Sequence, residues 1–211
     1  MYSSHIQCVA NLCFHYLKPG DYVIDATCGN GHDSLRLAKI VLSRNFCHEA
    51  REKSPENETR LLVCDLQEAA IKATKQRLGN ALSPQQLQYV RFHHGCHTEI
   101  FCQNKKPKLV IYNLGFLPGS SDKSLTSTCQ NTLQSLQSAM AVLDQKGIIC
   151  ITAYPGHPEG YLETVMLSDF FKYLSKSEEW ELWKYHSLSK EKAPCVFFLQ
   201  RSDLKKKKEN D

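Results

Sequence analysis

Two aspartates bracket a glycine turn near the N-terminus, in the run Val23-Ile24-Asp25-Ala26-Thr27-Cys28-Gly29-Asn30-Gly31-His32-Asp33. The β-branched start reads as a strand ending in an acid, and Asp33 opens the helix that follows. Glycine lets a backbone approach a ligand with no Cβ in the way. A Gly-rich turn of this kind commonly seats a nucleotide phosphate on the helix N-terminus. Asp33 works against that reading, because its charge at the helix N-terminus would repel a pyrophosphate. An acid on each side of the turn suits a cofactor with hydroxyls and positive charge. S-adenosylmethionine, with its sulfonium, amino group and ribose, fits that description. Asp25, Thr27, Gly29, Asn30, Gly31 and Asp33 are the cofactor-binding candidates here.

Asp65 stands at the end of the next apolar run, where a carboxylate can accept both ribose hydroxyls of an adenosine. Its distance from the glycine turn exceeds the usual spacing of about 20 residues, which the hydrophilic stretch 44–60 accounts for. A cap for the helix starting near Gln67-Glu68 is the plainer role for the same acid. Gln67 is placed along the adenine edge. His93, His94, Cys96 and His97 cluster farther on. No second ligand pair with matching spacing accompanies them, so no metal is expected. They read as a polar wall of the cofactor pocket, with His97 the contact.

Tyr112-Asn113-Leu114-Gly115-Phe116-Leu117-Pro118-Gly119 closes another strand with an amide, a glycine and an aromatic. That combination suits methylation of an amine. The Asn113 side-chain oxygen and a neighbouring backbone carbonyl can accept N–H bonds from an amino group and aim its lone pair. Gly115 admits close approach, and Phe116 offers a face for a base to stack on. Methyl transfer from a sulfonium is an in-line displacement, so alignment matters more than acid–base help. The amine must be neutral to attack, so an acceptor or water has to take a proton. Tyr154-Pro155-Gly156-His157-Pro158-Glu159-Gly160 forms a rigid loop after a further strand. Tyr154 could stack on a base there, and His157 could bind substrate or relay a proton. Asp122-Lys123-Ser124 offers a helix cap and, in Lys123, a partner for phosphate.

The elements that must hold these residues follow from periodicity. Apolar positions at three- and four-residue spacings predict a helix over Ile6 to Leu17. Strands are predicted over Tyr22–Thr27, Leu61–Cys64, Leu87–Phe92, Lys108–Asn113, Ile148–Ala153, Glu181–His186 and Cys195–Gln200. Helices are predicted over Asp33–Ser43, Gln67–Leu78, Ser124–Leu143 and Glu159–Leu174. Such alternation gives an α/β chain with a doubly wound, mostly parallel sheet and helices on both faces. The last two strands have no long helical pattern between them, so they close the sheet as an antiparallel hairpin. Seven strands in this arrangement describe a Rossmann-like S-adenosylmethionine-dependent methyltransferase fold, with chemistry at the carboxyl ends of the strands.

A chain of 211 residues, 42% hydrophobic and 23% charged, suits one domain of a soluble protein. That domain is placed at 1–203, with a surface insertion at 44–60 and a disordered basic tail at 204–211. No apolar run is long enough for a membrane span, and a secretory signal is not evident. The ten cysteines are scattered without a CxxC pair, which points to free thiols and a cytoplasmic setting. A net charge of +4 permits an RNA partner without requiring one. A homodimer would be unexceptional for a small enzyme.

The run Asp25 to Asp33, Asn113 to Gly119, Asp122-Lys123-Ser124 and Tyr154 to Gly160 together resemble the rRNA methylase family typified by the bacterial protein YtqB. Its members are understood as MnmM-type tRNA methyltransferases, and the likeness runs from about His5 to Gln200. The resemblance implies an S-adenosylmethionine enzyme acting on the exocyclic amine of 5-aminomethyl-2-thiouridine at the tRNA wobble position, in the anticodon arm. It implies cofactor contacts at Asn30, Asp33, Asp65 and Gln67. Methyl and amine would meet at Asn113, Leu114 and Gly115, with Tyr154 and His157 near the substrate. The 44–60 segment, Ser120-Ser121 and the lysine tail depart from the family pattern. Methylation of another RNA or a small amine, a nucleotide-binding oxidoreductase and a non-catalytic RNA-binding module are the other readings of the same residues.

Overall fold

The computed structural model describes residues 4–43, 59–101, 104–115, 129–190 and 192–202. Most of the 44–60 insertion, Phe116, Lys123 with its neighbours Asp122 and Ser124, and the lysine tail lie outside the described residues.

In chain order the elements are α1 (Ser4–Tyr16), β1 (Val23–Asp25), α2 (His32–Val41), β2 (Leu61–Asp65), α3 (Glu68–Gly79), α4 (Pro84–Leu87) and β3 (Val90–His94). A 3-10 turn (His97–Glu99) leads to β4 (Leu109–Asn113), α5 (Cys129–Val142), β5 (Ile148–Ala153), α6 (Pro158–Leu174), β6 (Trp180–Tyr185) and β7 (Cys195–Arg201). The seven strands form one sheet in the order β3-β2-β1-β4-β5-β7-β6. β1 to β5 are parallel, and β7 runs antiparallel to both β5 and β6. The expected α/β sheet and its antiparallel closing hairpin are both present.

The sheet is buried on both faces, which is why its parallel strands read as β-branched runs rather than alternating ones. Along β4, Leu109 and Ile111 pack into one core with Val9, Leu37, Val41 and Ile71 of α1, α2 and α3. Val110 and Tyr112 point the other way, into a core with Leu136, Met140, Leu167 and Phe171 of α5 and α6. Each such aliphatic side chain contributes roughly 1.5–3 kcal/mol by leaving water.

β1 is shorter than expected, β6 is displaced by one residue, and β3 differs most from the sequence expectation. Ser83 and Gln86 form a capping box, Ser83 Oγ accepting from Gln86 N at 3.2 Å and Gln86 Oε1 from Ser83 N at 2.9 Å. Pro84 suits the first helical position, and the resulting turn takes up Leu87. β3 therefore begins at Val90 and runs through His93 and His94, which belong to the strand and not to the loop after it.

The carboxyl ends of β1 to β5 share one edge, with the order of the strands reversing between β1 and β4. At that switch point β1 ends in Asp25, which is fully buried. Its carboxylate accepts from the Ser34 hydroxyl, tying the strand to α2, and from Thr27 N at 3.3 Å. Burial pushes the Asp25 pKa up to about 7, and the nearby Asp33 and Asp65 charges add to the rise while the Ser34 and Thr27 bonds oppose it. Between strand and helix the chain turns at Gly31, whose φ is +75°. A Cβ there would lie 2.7 Å from Thr74 Oγ1 and 2.9 Å from Thr74 Cα. Close packing of the turn on α3 is thus the reason for this glycine.

Gly31→Ala combines a left-handed backbone with that clash and should cost about 1–3 kcal/mol. The expected readout is a lower urea midpoint with an unchanged slope; an unaltered midpoint would contradict the packing of Gly31 on Thr74. Asp25 makes a pH-dependent contribution. Its folded value of about 7 lies above the ordinary 3.8, so between those values the folded chain binds more protons than the unfolded one. Stability from this group is whole below the unfolded value and lost as pH rises through the folded one. Asp25→Asn removes the proton, so urea unfolding should show the variant gaining on the parent across that window. A difference constant with pH would mean Asp25 is charged throughout.

Candidate active site

The turn after β1 is held from several sides. Gly29 N donates to Asp65 Oδ2 at 2.9 Å, and the Thr74 hydroxyl donates to the Gly29 carbonyl at 3.1 Å. Arg77 Nε donates to the Asn30 carbonyl at 2.6 Å, and Cys28 N donates to the Cys64 carbonyl at 2.9 Å. β2 and α3 therefore fix the backbone of Cys28, Gly29 and Asn30 before any ligand arrives.

Asp65 sits where the sequence expectation put it, at the carboxyl end of β2 and half-buried. Its second oxygen accepts Gln67 N at 2.9 Å, a local turn that sets the start of α3. A carboxylate oxygen can accept more than one hydrogen bond, so each Asp65 oxygen retains capacity for a hydroxyl. Gln67 is the N-cap residue of α3. Asp25 lies beneath the turn and shapes it through Ser34 and Thr27.

Asn113, at the tip of β4, makes two bonds to this turn across 80 or more residues of chain. Its N–H donates to Thr27 Oγ1 at 2.6 Å, and its Nδ2 donates to Asp33 Oδ2 at 2.8 Å. Asp33 accepts from Arg36 through its other oxygen. An ionised carboxylate only accepts, so the NH2 half of the Asn113 amide must face Asp33. The amide oxygen is thereby turned away from Asp33 as an acceptor. Next to it Leu114 is buried and donates its N–H to the Thr152 carbonyl at 2.9 Å. Gly115 is exposed, and a Cβ there would lie 3.5 Å from Tyr154 Cδ2. Asn113, Leu114, Gly115 and Tyr154, expected to act together, are neighbours.

Burial raises the Tyr154 phenol above its ordinary pKa, and the Asp33 charge adds to the rise. Against the Tyr154 ring stands the edge of His5 from α1, centroids 5.8 Å apart and planes at 87°. Burial lowers the His5 pKa while Asp33 opposes the shift, so His5, Tyr154 and Asp33 share one neighbourhood. Sequence reasoning missed His5. Its signal was the stripe His5, Val9, Cys13, all on the buried side of α1, which extends the apolar pattern back by one turn.

His157 is the N-cap of α6. Its Nδ1 accepts Gly160 N at 3.1 Å and lies 3.3 Å from Glu159 Oε2. One nitrogen cannot serve both: the neutral ring caps the helix, and a ring protonated at Nδ1 donates to Glu159 instead. His97 lies in the 3-10 turn with 5% of its surface exposed, its ring edge-on to Tyr112 at 5.7 Å. Burial pushes its pKa down to about 4, so it is neutral at pH 7 and packs as a core histidine. His93 contacts Glu99, and His94 meets the Leu66 carbonyl. Among the described residues no group of His, Cys, Asp or Glu is arranged to hold a metal ion. No helix among them is long and apolar enough to cross a membrane.

Known proteins resemble this chain in sequence and fold. A tRNA (mnm(5)s(2)U34)-methyltransferase, chloroplastic, of Arabidopsis thaliana is 33% identical over 186 residues, which is 87% of this chain and 64% of that protein. The chain thus spans less than two thirds of that relative's length. A crystal structure from Clostridium thermocellum superposes with a TM-score of 0.78 at 25% identity, covering 95% of this chain and 99% of the other. A Streptococcus mutans protein solved in complex with SAH superposes at 0.74 with 20% identity, again covering 95% and 99%. The fold is the Rossmann-like methyltransferase fold. Residues 61–201 match the model of the family described as "Putative rRNA methylase", and the chain belongs to that family.

Proposed function

We propose that the chain is an S-adenosylmethionine-dependent N-methyltransferase of tRNA. Its substrate is the aminomethyl group of 5-aminomethyl-2-thiouridine at the wobble position, and its product is 5-methylaminomethyl-2-thiouridine. One observation carries the reading: the Asn113 amide, locked by Asp33, presents its oxygen as an acceptor at the rim of the cofactor turn. The A. thaliana relative, named for a modified uridine at position 34, supports the choice of substrate.

The residues suit the cofactor. Asp65 can accept the ribose hydroxyls with the lone pairs its two backbone bonds leave, and Gln67 lies beside it. The negative Asp33 at the head of α2 favours a positively charged ligand and disfavours a pyrophosphate. When bound, S-adenosylmethionine supplies an electrophilic methyl group on its sulfonium. Asn113 Oδ1 then accepts an N–H of the neutral amine and aims its lone pair, with Gly115 leaving room for the approach. Tyr154 offers its ring to the base, and His157 lies in the same loop near the substrate. Transfer would break the methyl–sulfur bond, its electron pair staying on sulfur to leave the neutral thioether S-adenosylhomocysteine, as the nitrogen–methyl bond forms, and the resulting ammonium would release its proton to water. The described cysteines are free thiols, which supports a reducing, cytoplasmic-type setting.

Purified protein with S-adenosylmethionine should convert aminomethyl-bearing tRNA to the methylaminomethyl nucleoside, read by nucleoside mass spectrometry. Absence of product on such tRNA, with product on rRNA or on a small amine, would move the activity to those substrates. Asn113→Ala should lower kcat by about 10- to 100-fold, the scale of a lost alignment, with cofactor affinity held within about threefold. Equal losses in both would remove Asn113 from the amine.

A further inference from the structure

Beside the Tyr154–Gly160 loop lies a concavity of about 620 Å³, between α6 and the connection from β6 to β7. Topology explains its position. β7 is antiparallel to β5, and β6 is antiparallel to β7, so β6 runs in the same direction as β5. The β6–β7 connection therefore starts from the same sheet edge that carries Asp25, Asp65 and Asn113. Pro155, Gly156 and His157 belong both to the wall of this groove and to the rim of the candidate active site.

Its charge is one-sided. Lys172 of α6, Lys184 of β6, and Lys190 and Lys192 of the connection all line it, and Asp169 is the lining carboxylate, 3.7 Å from Lys172. Lys184, Lys190 and Lys192 have no carboxylate partner among the described residues; Glu191, between the last two, lies outside them. Lysines of one sign gathered from separate elements around one cavity raise its potential and favour an anion. Their spread along the groove fits an extended polyanion better than a single small one. Tyr161, 59% exposed, adds an aromatic face.

We infer that this groove holds the sugar–phosphate backbone of the tRNA strand adjoining the nucleotide that enters the active site. The inference rests on the tRNA reading above and adds where the strand runs. Contacts of this kind fix register and orientation without reading sequence.

The test uses the full chain with Lys172, Lys190 and Lys192 changed together, all of them exposed. In K172E/K190E/K192E the tRNA Kd at about 0.1 M salt should rise at least about tenfold. The slope of log affinity against log salt should fall by about 2, three contacts at about 0.7 each. K172R/K190R/K192R should keep both, and cofactor affinity should be equal in all three proteins. Parent-like tRNA affinity and slope in the glutamate variant would overturn the groove. If the parent binds tRNA with a groove-dependent slope yet transfers no methyl to it, the groove stands and the reaction falls. If the parent methylates tRNA while the glutamate variant keeps its KM and slope, the reaction stands and the groove falls.

Discussion

The two hydrogen bonds that Asn113 makes to the turn after β1 are the constraint on which the site depends. Through Thr27 and Asp33 they join the tips of β1 and β4, the two strands that flank the switch point. An asparagine at a free strand end could present either half of its amide. Here a carboxylate holds the NH2 half, so the orientation of the oxygen follows from elementary donor–acceptor rules. The turn itself is fixed from the opposite side by Asp65, Thr74 and Arg77. The Asn113 amide and the turn are therefore parts of one braced unit, and the proposed in-line transfer would require placement of that kind, within a fraction of an ångström.

Three acids around one turn would repel one another unless their environments differed. Asp65 is stabilised by two backbone N–H donors, and Asp33 by Arg36 and the Asn113 amide. Asp25 lies out of reach of water, and burial, with its neighbours' charges adding, raises its pKa well above the ordinary carboxylate value. The environments differ accordingly: Asp33 and Asp65 are partly exposed at the strand ends, and the buried Asp25 shapes the backbone between them. A positive ligand relieves the mutual repulsion, which a pyrophosphate would aggravate.

Much of this was legible in sequence because buried parallel strands and amphipathic helices leave clear periodicities. The bounds of β5 agree with the expectation, and β2, β4 and β7 differ by a single residue. The misplaced start of β3 came from the capping box at Ser83 and Gln86, a local signal that outweighs the apolar character of Leu87. The strand ends that carry Asp25, Asp65, Asn113 and Ala153 were identified, but their mutual contacts were not. The Asp33–Asn113 bond spans 80 residues and exists only because β4 pairs with β1, a neighbour relation that periodicity does not encode. Gly31 showed the opposite difficulty, since glycine in a turn suggests a ligand and here answers to Thr74. His97 is a similar case, a histidine in a promising cluster that the fold turns into its core.

Sheet order also explains why the lysine-lined groove was invisible in sequence. Its four lysines are scattered over residues 172 to 192 with acids and aromatics between them, and no run or period marks them. They converge because β7 inserts between β5 and β6. That insertion makes β6 run with β5 and brings the β6–β7 connection to the edge where the parallel strands end. A closing hairpin attached in the ordinary sequential order would have placed the connection elsewhere. The same antiparallel strand that completes the second core, through Phe197 and Leu199, thus also puts positive charge next to the loop that carries Tyr154 and His157.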